Sequence, residues 1–230
     1  MLKFDLHVHS QYSRDSKAPL KDILRTAWGK GLDGIAICDH DAIEGGQKAQ
    51  KMVQSSSRRD DFLVIPGIEV STSKGHMLVL GVSEMIPAGM TPEETADYAR
   101  DLGALSILAH PFRKSAHGIG YIDGIGADAV ETFNSKSFFN GANLRAQKEA
   151  DRLNLPKTGG SDAHIAELVG CGYTEIDAGE NTMEAVFQAI LHKKTNPCGQ
   201  LTPHSVVARQ MGKNVIRRTK NILKGNFGEQ

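Results

Sequence analysis

A chain of 230 residues, 40% apolar and with 24 glycines, suits one large α/β domain with many tight turns, and excludes a fibre or a disordered chain. No run approaches the roughly 18 apolar residues of a membrane span. Three cysteines (Cys38, Cys171, Cys198) without CxxC spacing exclude a zinc knuckle and read as reduced thiols of a cytoplasmic protein, as does the lack of a signal-peptide pattern. Net charge is zero but uneven: residues 201–230 carry six basic side chains against one acidic, so the tail is near +5 and the body near −5.

The chain opens on Asp5-Leu6-His7-Val8-His9-Ser10, a period-2 alternation that predicts a strand with Phe4, Leu6 and Val8 on one face and Asp5, His7 and His9 on the other. Imidazoles two apart on a strand lie about 6–7 Å apart at their Cα atoms, close enough to grip one ion. A polar loop, 11–18, holds Arg14 and Asp15, and Pro19 opens a helix that reaches about residue 30. A second strand begins at Gly34 and runs into Asp39-His40-Asp41; a helix over about 46–55 follows. The third strand, 62–68, ends at Glu69, and the fourth covers 76–81.

Thr91, Pro92 and Glu94 predict a helix start with a capping box, and Gly103 ends that helix. A fifth strand, 105–109, runs into His110-Pro111; a sixth covers 129–133, and a helix over about 137–153 follows it. Lys157-Thr-Gly-Gly-Ser-Asp-Ala-His is the seventh strand and its exit loop. A helix over about 182–192 and a basic helix over about 203–223 complete the chain. Seven strands alternating with helices, without a composition break, predict one domain over 1–230 built as a parallel α/β barrel.

The rare residues track the strand ends. His7/His9, His40, Glu69, His110 and Asp162/His164 each stand at or just past the C-terminal end of a predicted strand, the face where a parallel barrel gathers its chemistry. His76 is the exception, at the start of the fourth strand. Mixed imidazole and carboxylate ligands suit zinc, manganese or iron rather than calcium. About nine candidates exceed what one four-coordinate ion needs, so two or three ions are expected, with Glu69 placed to bridge a pair.

Asp-Leu-His-Val-His-Ser, Cys38-Asp-His-Asp41, Pro66-Gly-Ile-Glu-Val-Ser71, Gly75-His76, Ala109-His-Pro111 and Gly160-Ser-Asp-Ala-His164 together resemble the PHP (polymerase and histidinol phosphatase) domain. The resemblance covers about residues 1–195. It implies a distorted (β/α)7 TIM-like barrel, a trinuclear metal centre and hydrolysis of phosphoesters. It also implies one ion on His7, His9, Glu69 and Asp162, a second on Glu69, His76 and His110, and a third on Asp15, His40 and His164. Many members carry His where Asp15 stands. Glu69, Asp162 and His164 are then the expected catalytic residues.

Arg14, Arg113 and Lys136 lie in predicted loops on the active face and are candidate phosphate clamps, set against the plainer reading of solvated loop charges. His117 is weighed as a proton donor to a leaving group, and Asp5 either as a carboxylate orienting an imidazole or as half of a structural ion pair. The basic helix reads as packed on the barrel with a solvated charged face, or as a patch for nucleic acid or an acidic partner. The expected activity is metal-dependent hydrolysis of a small phosphomonoester, such as a nucleotide or a sugar or amino-alcohol phosphate. The alternatives are a 3′–5′ exonuclease acting on single strands and a metal-stabilised RNA-processing subunit. An amidohydrolase barrel also opens on His-x-His, but has a different ligand order.

Overall fold

A computed structural model describes residues 1–137, 139–203 and 206. The basic helix expected over about 203–223 lies almost wholly outside the described residues. Nine strands among those described make one sheet: β1 (Leu2–Val8), β2 (Gly34–His40), β3 (Leu63–Thr72), β4 (Gly75–Leu80), β5 (Leu105–Leu108), β6 (Ala129–Asn134), β7 (Lys157–Gly160), β8 (Gly172–Ile176) and β9 (Thr195–Gly199). The order is β7-β6-β5-β4-β3-β2-β1-β8-β9. The sheet curls until its two sides meet. Beyond β7, Asp162 N–H donates to His7 O at 2.8 Å and His9 N–H to Ala163 O at 2.9 Å, so the upper half of β1 joins the exit of β7. The result is a nearly closed, distorted α/β barrel.

Two expectations about the strands are corrected. β4 runs antiparallel to both β3 and β5, because only two residues, Ser73 and Lys74, separate Glu69's own strand from Gly75 and the pair forms a hairpin. A reversed strand begins where its neighbours end, so His76 starts β4 and still stands at the upper mouth. β8 and β9 were not expected at all. They form an antiparallel pair, and β8 fills the gap between the lower halves of β1 and β7, bonding Leu2–Phe4 of β1 and, through Thr174, Gly159 of β7. The first strand therefore meets the seventh only in its upper half.

Five helices cover the barrel: α1 (Leu20–Gly29), α2 (Glu44–Gln54), α3 (Pro92–Asp101), α4 (Gly141–Arg152) and α5 (Met183–Leu191). The predicted capping box closes α3, with Glu94 N–H donating to Thr91 Oγ1 at 3.1 Å and Thr91 N–H to Glu94 Oε2 at 2.8 Å. α4 starts four residues later than expected, because 135–137 leave β6 in a turn and Asn143 ties Ser137 to the end of that strand. α1 and α2 pack Ile23, Leu24, Ala27, Ala49 and Val53 on Ile35, Ile37 and Val64, outside the sheet. Inside it, Phe4, Leu6, Leu78, Leu80 and Ile107 meet Val186, Phe187 and Ile190 of α5, which stops the lower mouth. No helix among the described residues is long and apolar enough to cross a membrane.

The alternation expected in β1 is broken by one residue. Asp5 pairs with Ile35 but Val8 with Ile37, so three steps on β1 match two on β2. Phe4 and Leu6 thus join the interior cluster, Val8 joins the outer layer with α1 and α2, and His7 and His9 face inward above Leu6. Sharing a face with the apolar residues, rather than opposing them, gives the two imidazoles an apolar floor.

Candidate metal centre

His7 and His9 turn Nε2 toward each other at 3.1 Å, and both reach Glu69 Oε2, at 3.2 and 3.0 Å. Asp162 Oδ1 is 3.4 Å from His9 Nε2 and 4.0 Å from His7 Nε2. The other oxygen of Glu69 faces His76 Nδ1 at 2.9 Å and His110 Nε2 at 3.1 Å. Asp15 Oδ2 lies 2.9 Å from His164 Nε2 and 3.5 Å from His40 Nε2. All nine sequence-derived ligand candidates therefore meet at one mouth. They fall into four overlapping groups of convergent donors: His9/Asp15/His40/His164, His7/Glu69/His110, His7/His9/Asp162 and His40/Glu69/His76. His7, His9, His40 and Glu69 each belong to two of these, more sharing than one set of residues per ion would need.

The donor chemistry fits divalent ions. A neutral imidazole has one N–H and one lone pair, and a carboxylate only accepts. Two ring nitrogens that face each other and share a carboxylate oxygen cannot all be matched by protons, whereas a cation accepts all their lone pairs. Nδ1 of His9, His40 and His110 is also buried without a hydrogen-bond partner. Imidazole with carboxylate is the donor set of zinc, manganese and iron.

The charge states lean the same way. Burial alone would raise Glu69, but the imidazoles of His40 and His7 and the hydrogen bond from His110 hold it well below the usual carboxylate range. Burial is likewise outweighed at Asp162, held low by Lys136, Arg113 and His7. Burial pushes His110 down to about 4 with help from Arg113, and His164 down to about 4 with help from Lys136 and His9. Deprotonated carboxylates and neutral imidazoles are the forms that ligate. His7 and His9 go the other way: burial opposes their charge, yet the carboxylates of Glu131, Glu69 and Asp162 push His7 well above its ordinary range, and hydrogen bonds to Asp162 and Glu69 push His9 up to about 9, so an arriving cation displaces a proton from each.

Three of the five non-glycine residues with positive φ among those described stand at the same place: Asp41, His110 and Asp162 have φ of 51°, 32° and 51°, where such residues persist only when surroundings hold them. His110 is held by its N–H on Glu131 Oε2 at 2.8 Å, Asp162 by its N–H on His7 O.

The three candidate clamps separate. Arg113 Nη2 donates to Asp162 Oδ2 at 2.6 Å and to Asn134 Oδ1 at 2.9 Å, and Lys136 Nζ reaches Asp162 Oδ1 at 3.2 Å and the His164 ring. With 20% and 26% of their side chains exposed, both keep an open side at the mouth. Arg14 sits at the rim on Asp41 and Ser71, with 59% of its side chain exposed. His117 Nδ1 lies 3.2 Å from His76 Nε2. Asp5 fits neither of its expected roles: its carboxylate accepts the backbone N–H groups of His7, Ser161 and Gly170, lacing β1 to the β7 exit.

Sequence reasoning missed Glu131 and Asn134, both buried on β6. Glu131 Oε1 lies 2.9 Å from His7 Nδ1, and Asn134 Nδ2 donates to Glu131 Oε2 at 3.0 Å and to Asp162 Oδ2 at 3.3 Å. A signal was present: Glu131 is the one charged residue inside the strand Ala-Val-Glu-Thr-Phe-Asn.

Fold and site together define a distorted α/β barrel whose upper mouth gathers donors able to hold divalent ions. Residues 140–195 match the family model for the PHP-associated region. The uncharacterized protein MJ1587 of Methanocaldococcus jannaschii is 33% identical over 145 residues, covering 58% of this chain and 82% of its own. Among solved structures, a two-domain protein of Bacteroides vulgatus containing a predicted PHP-like metal-dependent phosphoesterase superposes with a TM-score of 0.68 at 19% identity. That match covers 86% of this chain and 65% of the other, so the chain spans under two thirds of that protein. The lesion-specific endonuclease PfuEndoQ of Pyrococcus furiosus has a TM-score of 0.61 at 18% identity, over 83% of this chain and 56% of its own. The chain belongs to the PHP family.

Proposed function

We propose that the chain is a single-domain, cytoplasmic, metal-dependent phosphoesterase whose substrate is a small phosphomonoester, a nucleotide or a sugar or amino-alcohol phosphate. The observation that carries this reading is the meeting of Arg113 and Lys136 on Asp162, beside the clustered ligands. Two partly exposed cations at the edge of a metal centre match the equatorial oxygens of a phosphoryl group, on which charge builds during transfer.

Two or three zinc, manganese or iron ions are assigned to His7, His9, Glu69 and Asp162, to Glu69, His76 and His110, and to Asp15, His40 and His164. When bound, such ions acidify water and polarise phosphoryl oxygens. Glu69 joins the first two sets, because its two oxygens face different histidines. Arg113 and Lys136 exchange part of their contact with Asp162 for the phosphate and fix its orientation. His164, whose Nε2 faces Asp15 and whose two ring nitrogens both lie close to Lys136 Nζ, couples the third set to the phosphate clamp.

A nuclease is the second reading, supported by the nearness in fold to PfuEndoQ and by the route of the chain after β9. Thr202 N–H donates to Ser135 O at 2.7 Å, one residue before Lys136, so the described chain after β9 passes beside the mouth.

Chelator-treated protein given Mn²⁺ is expected to release inorganic phosphate from mononucleotides or sugar phosphates and to leave single-stranded oligonucleotides intact. Degradation of oligonucleotides alone would replace the first reading by the second. No metal-dependent turnover of either substrate class would contradict both.

A further inference from the structure

We propose that Glu131 is a positioning residue whose carboxylate fixes the His7 ring with its proton on Nδ1, so that Nε2 presents its lone pair to the ligand cluster. The inference rests on the reading of His7 as a metal ligand.

Glu131 lies in the middle of β6 and its side chain is fully buried. Its Oε1 stands 2.9 Å from His7 Nδ1, while Oε2 accepts the N–H of His110 at 2.8 Å and the amide of Asn134 at 3.0 Å. An acceptor-only group with Oε2 committed to two donors leaves His7 one arrangement, with Nδ1 donating. The opposite ring nitrogen faces Glu69 and His9, so it is Nε2, and not Nδ1, that gives up its proton to an arriving cation.

The backbone is shaped for this contact twice over. Glu131 pairs with Thr158 but Phe133 with Gly159, so β6 holds one extra residue, and Glu131 and Asn134, three apart, both turn inward. Opposite them, Gly160 lets β7 approach: a Cβ there would lie 2.5 Å from His7 Cβ and 3.1 Å from Glu131 Oε1. Asn134 carries the network on, from Glu131 to Asp162 and Arg113. One buried carboxylate therefore touches two candidate ligands, the ring of His7 and the backbone of His110, and a single amide separates it from a third, Asp162.

The test is Glu131→Gln, the same size and able to keep its carbonyl oxygen on the two N–H donors while offering His7 an NH₂. Zn²⁺ affinity is measured against a competing chromophoric chelator, and the melting temperature is measured in excess EDTA. The variant is expected to bind Zn²⁺ about 10–100-fold more weakly while its metal-free melting temperature stays at the wild-type value. Equal affinity would overturn the proposal, and so would a weakening wholly matched by a fall in metal-free stability. A second measurement does not depend on the variant folding. In zinc-loaded wild type labelled with ¹⁵N-histidine, His7 should carry a proton on Nδ1 and none on Nε2, and the reverse assignment would overturn the proposal. Wild type that binds no Zn²⁺ would instead sink the metal reading, and this inference with it.

Discussion

Below the level of His7 the barrel interior is filled by Phe4, Leu6, Leu80, Leu105 and Ile107, closed by Val186 and Ile190 of α5. Above it the same interior holds His7, His9, Glu69, His110 and Asp162, all equally dry. Burial has opposite consequences at the two ends. Each apolar side chain below contributes roughly 1.5–3 kcal/mol by leaving water. Each buried polar group above costs free energy unless it is partnered. The lower end is thus what holds the fold together, and the upper end is carried by it, with cations as the natural partners of its lone pairs.

The contrast can be broken most sharply from below. Phe4→Ala should destabilise the protein by about 3–5 kcal/mol, the usual cost of removing a buried aromatic ring. Metal stoichiometry of the folded fraction should be unchanged, as chemical denaturation and elemental analysis would show. Loss of metal from a still-folded Phe4→Ala protein would mean that the two ends are not separable. A smaller effect is expected from above. Arg113→Ala should lower kcat/KM by the equivalent of about 1.5–3 kcal/mol, the range for a charge-assisted hydrogen bond. Its thermal stability should fall by less than that, because Lys136 still pairs with Asp162. An unchanged kcat/KM would return Arg113 to the status of a loop charge.

The two ends also differ in how far they could be read from the sequence. Ligand candidates stood out because histidine is rare and five of them marked strand ends, so the mouth could be assembled without coordinates. The reversed direction of β4 was hidden, although His76 at the start of its strand was its visible trace. β8 and β9 escaped notice because they are five-residue strands with weak patterns, Thr-Asn-Pro-Cys-Gly in β9 being poor in strand formers. The register slips in β1 and β6 leave no mark in the alternation, since they arise from pairing with neighbours. For that reason the face of Val8 was misassigned and the role of Glu131 went unseen. Asp5 looked like a ligand's partner by parity, yet the slip turned it to the backbone of the β7 exit.

Metal content of the wild type beside Glu69→Gln and Asp15→Ala tests the central claim most directly, since one carboxylate reaches five histidines and the other stands at the outer edge. Purified without chelator, the wild type should carry more than one equivalent of zinc, manganese or iron by elemental analysis. Asp15→Ala should lose about one equivalent and keep the rest. Glu69→Gln should lose more than Asp15→Ala, because it weakens two sets of ligands at once. Wild type devoid of transition metal even after Mn²⁺ or Zn²⁺ is added back, or a Glu69→Gln protein with the full complement, would contradict the account.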